Sequence, residues 1–284
     1  MTDLAPSRIV STTWLADRSA EENVVVVEVT DDPAHDGRSG VIPGAHAVFW
    51  KDLLWHATRR EFATADTLAE RLRALGAGAG SMVVLAGDPP QFAAYALWVA
   101  TAVGVGGSLR YLDGGLPAWR RDAAAGVHRF HRAGAADVAT PLPVVTPSPS
   151  VVIDRDGVRD ALHTSTVIVD LRSPEEYSGA RVAPSQEPID HGAQRHGRIP
   201  GARPLHVREL LDASGRILPP DELRSRISEL DAENAPELVF YCRLSHRAAL
   251  GWLVFTDLLH DPRVRVYDGS WTEWGSIVGA PIER

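Results

Sequence analysis

A single cysteine, Cys242, stands among the 284 residues of the chain. That scarcity excludes an intramolecular disulfide framework and fits a reducing compartment, while leaving an intermolecular disulfide open. Long apolar runs are missing too: none approaches the roughly 18 residues a membrane span needs. The segment from Met1 to Thr13 shows no basic flank followed by an apolar core of signal-peptide length. A cytoplasmic protein that makes no membrane contact is expected. There is no basic run either, and 29 Lys and Arg against 37 Asp and Glu leave a net charge of −8, so nucleic acid is not an expected partner. His35, His46 and His56 lack metal-ligand spacing and have no cysteine partners, so neither zinc nor another metal is expected.

The rest is ordinary for a globular protein, with 44% hydrophobic and 23% charged residues. The length is about twice that of a usual domain, which admits two domains or one large one. Internal repetition decides between them. Val41-Ile-Pro-Gly-Ala45 recurs as Arg198-Ile-Pro-Gly-Ala202, 157 residues on. Leu112-Asp-Gly-Gly-Leu-Pro-Ala-Trp119 recurs as Tyr267-Asp-Gly-Ser-Trp-Thr-Glu-Trp274, and Met82-Val-Val-Leu-Ala-Gly87 as Glu237-Leu-Val-Phe-Tyr-Cys242, each 155 residues on.

Each half follows one plan. An apolar run ends on an acid, at Glu28 or Asp170, and the Ile-Pro-Gly-Ala segment leads into a second short strand. A helical stretch follows (65–75; 221–230), then a strand of buried type (82–86; 238–241), an apolar helix (91–102; 248–259), and a strand entering an Asp-Gly turn. Short apolar strands alternating with helices predict an α/β protein with parallel sheets covered on both faces. Ligand sites in such sheets lie at the carboxyl ends of the strands. Between the halves the periodic pattern lapses into Ala, Gly and Pro, which predicts domains over 1–124 and 149–284 joined by an extended linker over 125–148.

The halves differ in two ways. The second carries 15 extra residues between its acid and its Ile-Pro-Gly-Ala segment, around Ser178 to His196, which bring in Arg181, His191, Arg195 and His196. It also has Cys242 where the first has Gly87. The cysteine closes an apolar run, a loop of Arg243, Leu244, Ser245, His246 and Arg247 follows, and a helical pattern begins near Ala248. Strand, loop and helix start aim backbone N–H groups and the positive end of the helix dipole at the loop. A thiol placed there beside two arginines is expected to react as the thiolate.

Taken in order and doubled, these pieces give the whole chain a resemblance to the two-domain rhodaneses, the sulfurtransferases of the thiosulfate and 3-mercaptopyruvate type. The markers are Val169-Asp-Leu-Arg-Ser-Pro-Glu-Glu-Tyr177, Gly197-Arg-Ile-Pro-Gly-Ala202, the loop from Cys242 to Arg247, and Tyr267 to Trp274. The resemblance implies two tandem rhodanese-like domains, the first catalytically inactive and closing one side of a cleft, the second catalytic, with no metal or organic cofactor. It implies that Cys242 takes a sulfane sulfur from a small donor, thiosulfate or 3-mercaptopyruvate, holds it as a persulfide, and passes it to cyanide or a thiol. Related cell-cycle phosphatases place five residues between Cys and Arg. Only four separate Cys242 from Arg247, a loop sized for sulfur.

Among the neighbours, Arg243 is expected to bind an anionic donor: it matches a loop position that is basic in thiosulfate-type enzymes and usually Gly in mercaptopyruvate-type ones. Arg247 is expected either to bind the donor or to turn inward and brace the loop, guanidinium forks being suited to oxyanions. Arg195 matches a substrate-carboxylate arginine of mercaptopyruvate-type enzymes, whereas Glu176 stands where those carry Arg. Ser245 replaces a common Gly, and His246 is a loop histidine with no assigned role. Asp170 is expected to support the site from behind by accepting hydrogen bonds from loop N–H groups, and Arg172 to form an internal ion pair. Thiosulfate:cyanide sulfurtransfer leads; mercaptopyruvate sulfurtransfer and a persulfide carrier with weak turnover stand as alternatives.

Overall fold

Valine-rich segments such as Val24–Thr30 have β-branched side chains that favour extended backbone and pack well on a pleated surface. In the computed structural model, which describes residues 7–19, 21–33, 41–126 and 140–284, these segments form two five-stranded sheets. The chain divides into two compact units, Met1–Ser148 with Ser214–Arg216, and Pro149–Ala213 with Ile217–Arg284.

The first sheet contains β1 (Ile9–Val10), β2 (Val24–Thr30), β3 (His46–Phe49), β4 (Met82–Asp88) and β5 (Ser108–Leu112), in the order β1-β5-β4-β2-β3. The second contains β6 (Val152–Ile153), β7 (Val167–Asp170), β8 (Arg203–Pro204), β9 (Leu238–Tyr241) and β10 (Val264–Tyr267), in the matching order β6-β10-β9-β7-β8. Every pairing in both sheets is parallel. Registers correspond: Glu28 lies opposite Ala86 as Asp170 lies opposite Tyr241.

All four side chains of β9 are buried, as a strand covered on both faces requires. Val239 and Tyr241 enter a cluster with Val158, Trp271 and Trp274, from α6 (Arg155–Ala161) and α10 (Ser270–Trp274). On the opposite face Phe240 meets Phe255 edge-on at 4.8 Å, just beyond α9 (His246–Leu253). Gly251 of α9 lies so close that a Cβ would come within 2.5 Å of Leu171 Cδ2 and 3.1 Å of Phe240. That contact seats the helix that starts at the candidate loop.

Three expectations change in detail. The apolar helix of the second unit begins at His246, two residues before the expected Ala248, and passes at Val254–Leu258 into a π-helical turn. The second short strand expected after the Ile-Pro-Gly-Ala segment is, in the second unit, only Arg203–Pro204, and a 3-10 turn takes over at Val207–Leu210. The expected linker lies partly outside the described residues. Its described end, 140–148, bridges back to the first unit through Gly78 with Pro141 and Val105 with Val144. His35 also falls outside the described residues. Among those described, no helix is long and apolar enough to cross a membrane.

Candidate active site

Cys242 follows the last residue of β9 and is 1% exposed. Its N–H donates to Ser270 Oγ at 3.2 Å and its carbonyl accepts from Trp271 N at 2.9 Å. The carbonyl of Arg243 accepts from Thr272 N at 3.2 Å and from its hydroxyl at 2.9 Å. With its carbonyls tied to the start of α10, the loop is left with the N–H groups of Arg243, Leu244, Ser245, Arg247 and Ala248, none of which donates to an acceptor among the described residues. The first turn of a helix always has such donors, and here they belong to the chain that follows the thiol.

Ser245 makes the turn into α9 with φ +69, the left-handed region that costs a residue with a Cβ roughly 1–2 kcal/mol. Its hydroxyl, fully buried, donates to the Asp268 carbonyl at 2.6 Å and sits 3.2 Å from Ser270 Oγ. A glycine would take the same angle without cost. Serine takes it and adds a bond from the loop to the turn after β10.

Arg247 turns inward. Its Nη1 and Nη2 donate to the two oxygens of Glu176 at 2.7 and 2.8 Å. Burial would ease proton loss from this guanidinium, but the Glu176 hydrogen bonds, then Cys242, then the charge of Glu176 hold it protonated above its ordinary range. Burial is the largest single influence on the Glu176 carboxyl and works to raise it, yet the hydrogen bonds and charge of Arg247, the Ser173 N–H and the charge of Arg172 together outweigh it and hold the group below its ordinary value. Glu176 is also the third residue of α7 (Pro174–Ser178), where it accepts from Ser173 N at 3.1 Å while Ser173 Oγ accepts from Glu176 N at 3.3 Å, a reciprocal capping box.

Behind the loop, Asp170 and Arg172 are buried and paired, with Nη2 to Oδ2 at 2.6 Å. Arg172 also donates to the Gly197 carbonyl at 2.8 Å and lies 4.6 Å over the Trp271 ring. The expectation that Asp170 accepts from loop N–H groups is corrected. Its acceptors are taken by the N–H and guanidinium of Arg172 and by the Tyr241 hydroxyl at 2.5 Å. That hydroxyl in turn accepts from Ile199 N at 3.3 Å, and burial together with the Asp170 charge holds the phenol protonated well above its usual range. Asp170 therefore braces the strand before Cys242 and the Ile-Pro-Gly-Ala segment together.

Arg195 spends its fork on the carboxyl-terminal segment, donating to the carbonyls of Trp274, Gly275, Ile277 and Ala280 at 2.8–3.3 Å. Arg243 pairs with Glu187 of the 15-residue insert, and its Nη2 lies 3.3 Å from His191 Nε2. Leu244 and His246 complete the loop. Of the residues singled out from sequence, Cys242 to Arg247 form one site, Asp170 supports it from below, and Arg195 is committed elsewhere. Glu176, singled out from sequence only as a departure from the mercaptopyruvate pattern, is the partner of Arg247, and Ser173-Pro-Glu-Glu176 carried a capping-box spacing. Two contributors were missed, Ser270 and Glu187, and neither has a signal, because their roles depend on where distant turns fold.

Comparison with known proteins agrees with this geometry. A family model described as "Rhodanese-like domain" matches residues 11–122 and again 154–277. The chain is 35% identical over 278 residues to a protein of Saccharopolyspora erythraea named putative thiosulfate sulfurtransferase, covering 97% of this chain and 96% of that one. It is 32% identical over 293 residues to the sulfur carrier protein TtuD of Thermus thermophilus, covering 98% and 97%. Among solved structures, the anaerobic ergothioneine biosynthesis enzyme from Chlorobium limicola, in complex with trimethyl histidine, superposes with a TM-score of 0.75 at 25% identity, covering 97% of this chain and 70% of that one. Two matched domains, two parallel sheets of one topology and a single strand-end thiol leave one conclusion: the chain belongs to the rhodanese family.

Proposed function

We propose that the protein is a thiosulfate sulfurtransferase of a reducing, cytoplasmic compartment, carrying sulfane sulfur on Cys242 and delivering it to cyanide or a thiol. The Cys242 thiolate attacks the outer sulfur of thiosulfate. The S–S bond of the donor breaks, sulfite leaves with the bonding pair, and Cys242 becomes a persulfide anion. Cyanide then attacks the terminal sulfur, thiocyanate departs, and the thiolate returns with charge and electrons balanced. Covalent capture splits one transfer into two easier steps. The observation that carries this reading is the set of N–H groups of Arg243, Leu244, Ser245, Arg247 and Ala248, which have no acceptor among the described residues and suit a terminal sulfur bearing negative charge. Arg247 holds the loop against Glu176 and supplies positive charge near the sulfur.

Domain one takes no part in this chemistry, having Gly87 in place of the thiol. Mercaptopyruvate as donor loses its main support, since Arg195 is engaged by four backbone carbonyls. A persulfide carrier with slow turnover keeps support from the likeness to a sulfur carrier protein and from the deep burial of Cys242. Steady-state thiocyanate formation tests the proposal. Thiosulfate should give turnover that Cys242→Ser abolishes and a kcat/KM above that for 3-mercaptopyruvate; retained turnover in the variant sinks the assignment. A persulfide that loads but is not discharged by cyanide or small thiols favours the carrier.

A further inference from the structure

Three residues of the stretch that the second half carries and the first lacks, Glu187, His191 and Gly192, meet one side chain. Arg243, the residue after the candidate nucleophile, has a side chain only 12% exposed. Its Nη1 is paired with the Glu187 carboxylate, and its Nη2 lies 3.3 Å from His191 Nε2. Gly192, at φ +119, backs onto the guanidinium so closely that a Cβ would sit 2.6 Å from Nε and 3.0 Å from Nη2. Nε itself is buried with no hydrogen-bond partner.

Glu187 is held in place for this contact. Its N–H donates to the Pro184 carbonyl at 3.0 Å and its own carbonyl accepts from Arg181 Nη2 at 2.8 Å. The neighbouring Asp190 closes the turn by accepting from Val182 N and Ala183 N, each at 2.8 Å. His191 Nδ1 lies 3.5 Å from Glu187 Oε2. A clamp built this way is more than a pair of solvated surface charges.

A guanidinium beside a nucleophile ordinarily recruits an oxyanion, because its fork matches two oxygens at once. Here the fork already has a carboxylate on it, so an incoming anion must displace that pair before gaining the same contact. We infer that Glu187 is a specificity-determining residue: it neutralises Arg243, weakens the hold of the site on dianionic sulfur donors, and shifts preference toward donors of single negative charge. The inference rests on the reading of Cys242 as the sulfur acceptor. It assigns the insert a task, which is to set the charge seen by the donor.

Glu187→Gln keeps an acceptor oxygen for Arg243 and removes the competing charge. The KM for thiosulfate should fall about tenfold, ~1.4 kcal/mol, with kcat changed by less than about twofold. For an aryl thiosulfonate, a singly charged donor, the fall should be about threefold. In an Arg243→Gln background, where no guanidinium remains to be released, the same substitution should lower the thiosulfate KM by less, about threefold. A merely structural role would lower kcat or Tm without regard to donor charge, and that result, or an unchanged KM for thiosulfate, overturns the inference. Sulfate, an unreactive dianion, gives a readout independent of turnover: calorimetric titration should show tighter binding to Glu187→Gln than to the unaltered protein. Equal binding, or none to either, overturns the inference even if sulfur transfer itself were absent, whereas lost turnover with tightened sulfate binding would count against the proposed reaction alone.

Discussion

The two units end the same strand in opposite ways. β9 gives way after Tyr241 to an open loop led by Cys242, whereas β4 runs on through Gly87 to Asp88. A Cβ at Gly87 would lie 2.7 Å from the carbonyl oxygens of both Pro89 and Pro90 and 2.9 Å from Ala93 N. No side chain fits there, let alone a thiol. From the other side, Gly115 presses on the Gly87 carbonyl, where its own Cβ would come within 2.3 Å. One copy of the repeat has filled the space at its strand end with backbone, and the other continues into a loop whose N–H groups at Arg243, Leu244 and Ser245 have no acceptor among the described residues.

The acids below the two loops show the same divergence in milder form. Glu28 reaches the N–H groups of Val41 and Ile42 directly, at 2.9 and 2.6 Å. Asp170 is one methylene shorter and reaches Ile199 N only through the Tyr241 hydroxyl. The strand residue opposite Glu28 is Ala86, which has no hydroxyl to offer. Both halves thus tie the strand to the Ile-Pro-Gly-Ala segment, and only the second recruits the residue before Cys242 to do so.

Breaking the braced loop should have the largest effect on stability. Arg247→Met would leave the Glu176 carboxylate buried and unpaired, at a cost of about 3–5 kcal/mol, read as a fall in the denaturant midpoint of the second unit; a cost below about 1 kcal/mol would show that the pair does not hold the loop. Gly87→Val should destabilise the first unit by about 1–3 kcal/mol through overpacking against the proline carbonyls. Should that variant prove as stable as the original, the loop of domain one is not closed by backbone.

Tyr241→Phe should cost about 1–3 kcal/mol, because the buried N–H of Ile199 loses its acceptor, with little change in kcat. No equivalent substitution exists in domain one, where Glu28 makes the contact unaided.

Acid sharpens the comparison further. The Glu176 carboxyl is held below its ordinary 4.5 in the folded protein, so the stability it contributes is full above that value and is lost as pH falls through the folded pKa. Glu176→Gln should therefore flatten the fall in stability of the second unit below about pH 4.5, by up to one proton in slope, in urea titrations across that range. An unchanged slope would remove Glu176 from the account of acid sensitivity. Ser245→Gly should move stability least, under about 1 kcal/mol, because released strain and a lost hydrogen bond oppose each other.

Much of the fold could be read from the chain because both of its signals are local. The strands announce themselves as β-branched runs, and the doubled Ile-Pro-Gly-Ala and Asp-Gly segments give the order of elements twice. The short edge strands β1 and β6 were invisible, since two residues carry no periodicity. In the site, Cys242 and its loop were legible from strand, thiol, arginines and helix start. The partners of those arginines were not. Nothing near Arg243 in sequence points to Glu187, 56 residues away, and Arg195 is read as a substrate ligand only through the family resemblance, while its four carbonyl partners belong to a distant turn. Charge pairing is settled by tertiary placement, which residue type alone does not encode.

The comparison between the two strand ends comes down to whether the open one holds sulfur. Intact-mass spectrometry of the full chain after treatment with thiosulfate should show the gain of one sulfur atom, its loss on adding cyanide with one thiocyanate formed per chain, and no gain in Cys242→Ser. Thiocyanate formed without any sulfur adduct, or an adduct on the Cys242→Ser variant, would contradict a persulfide carried at Cys242.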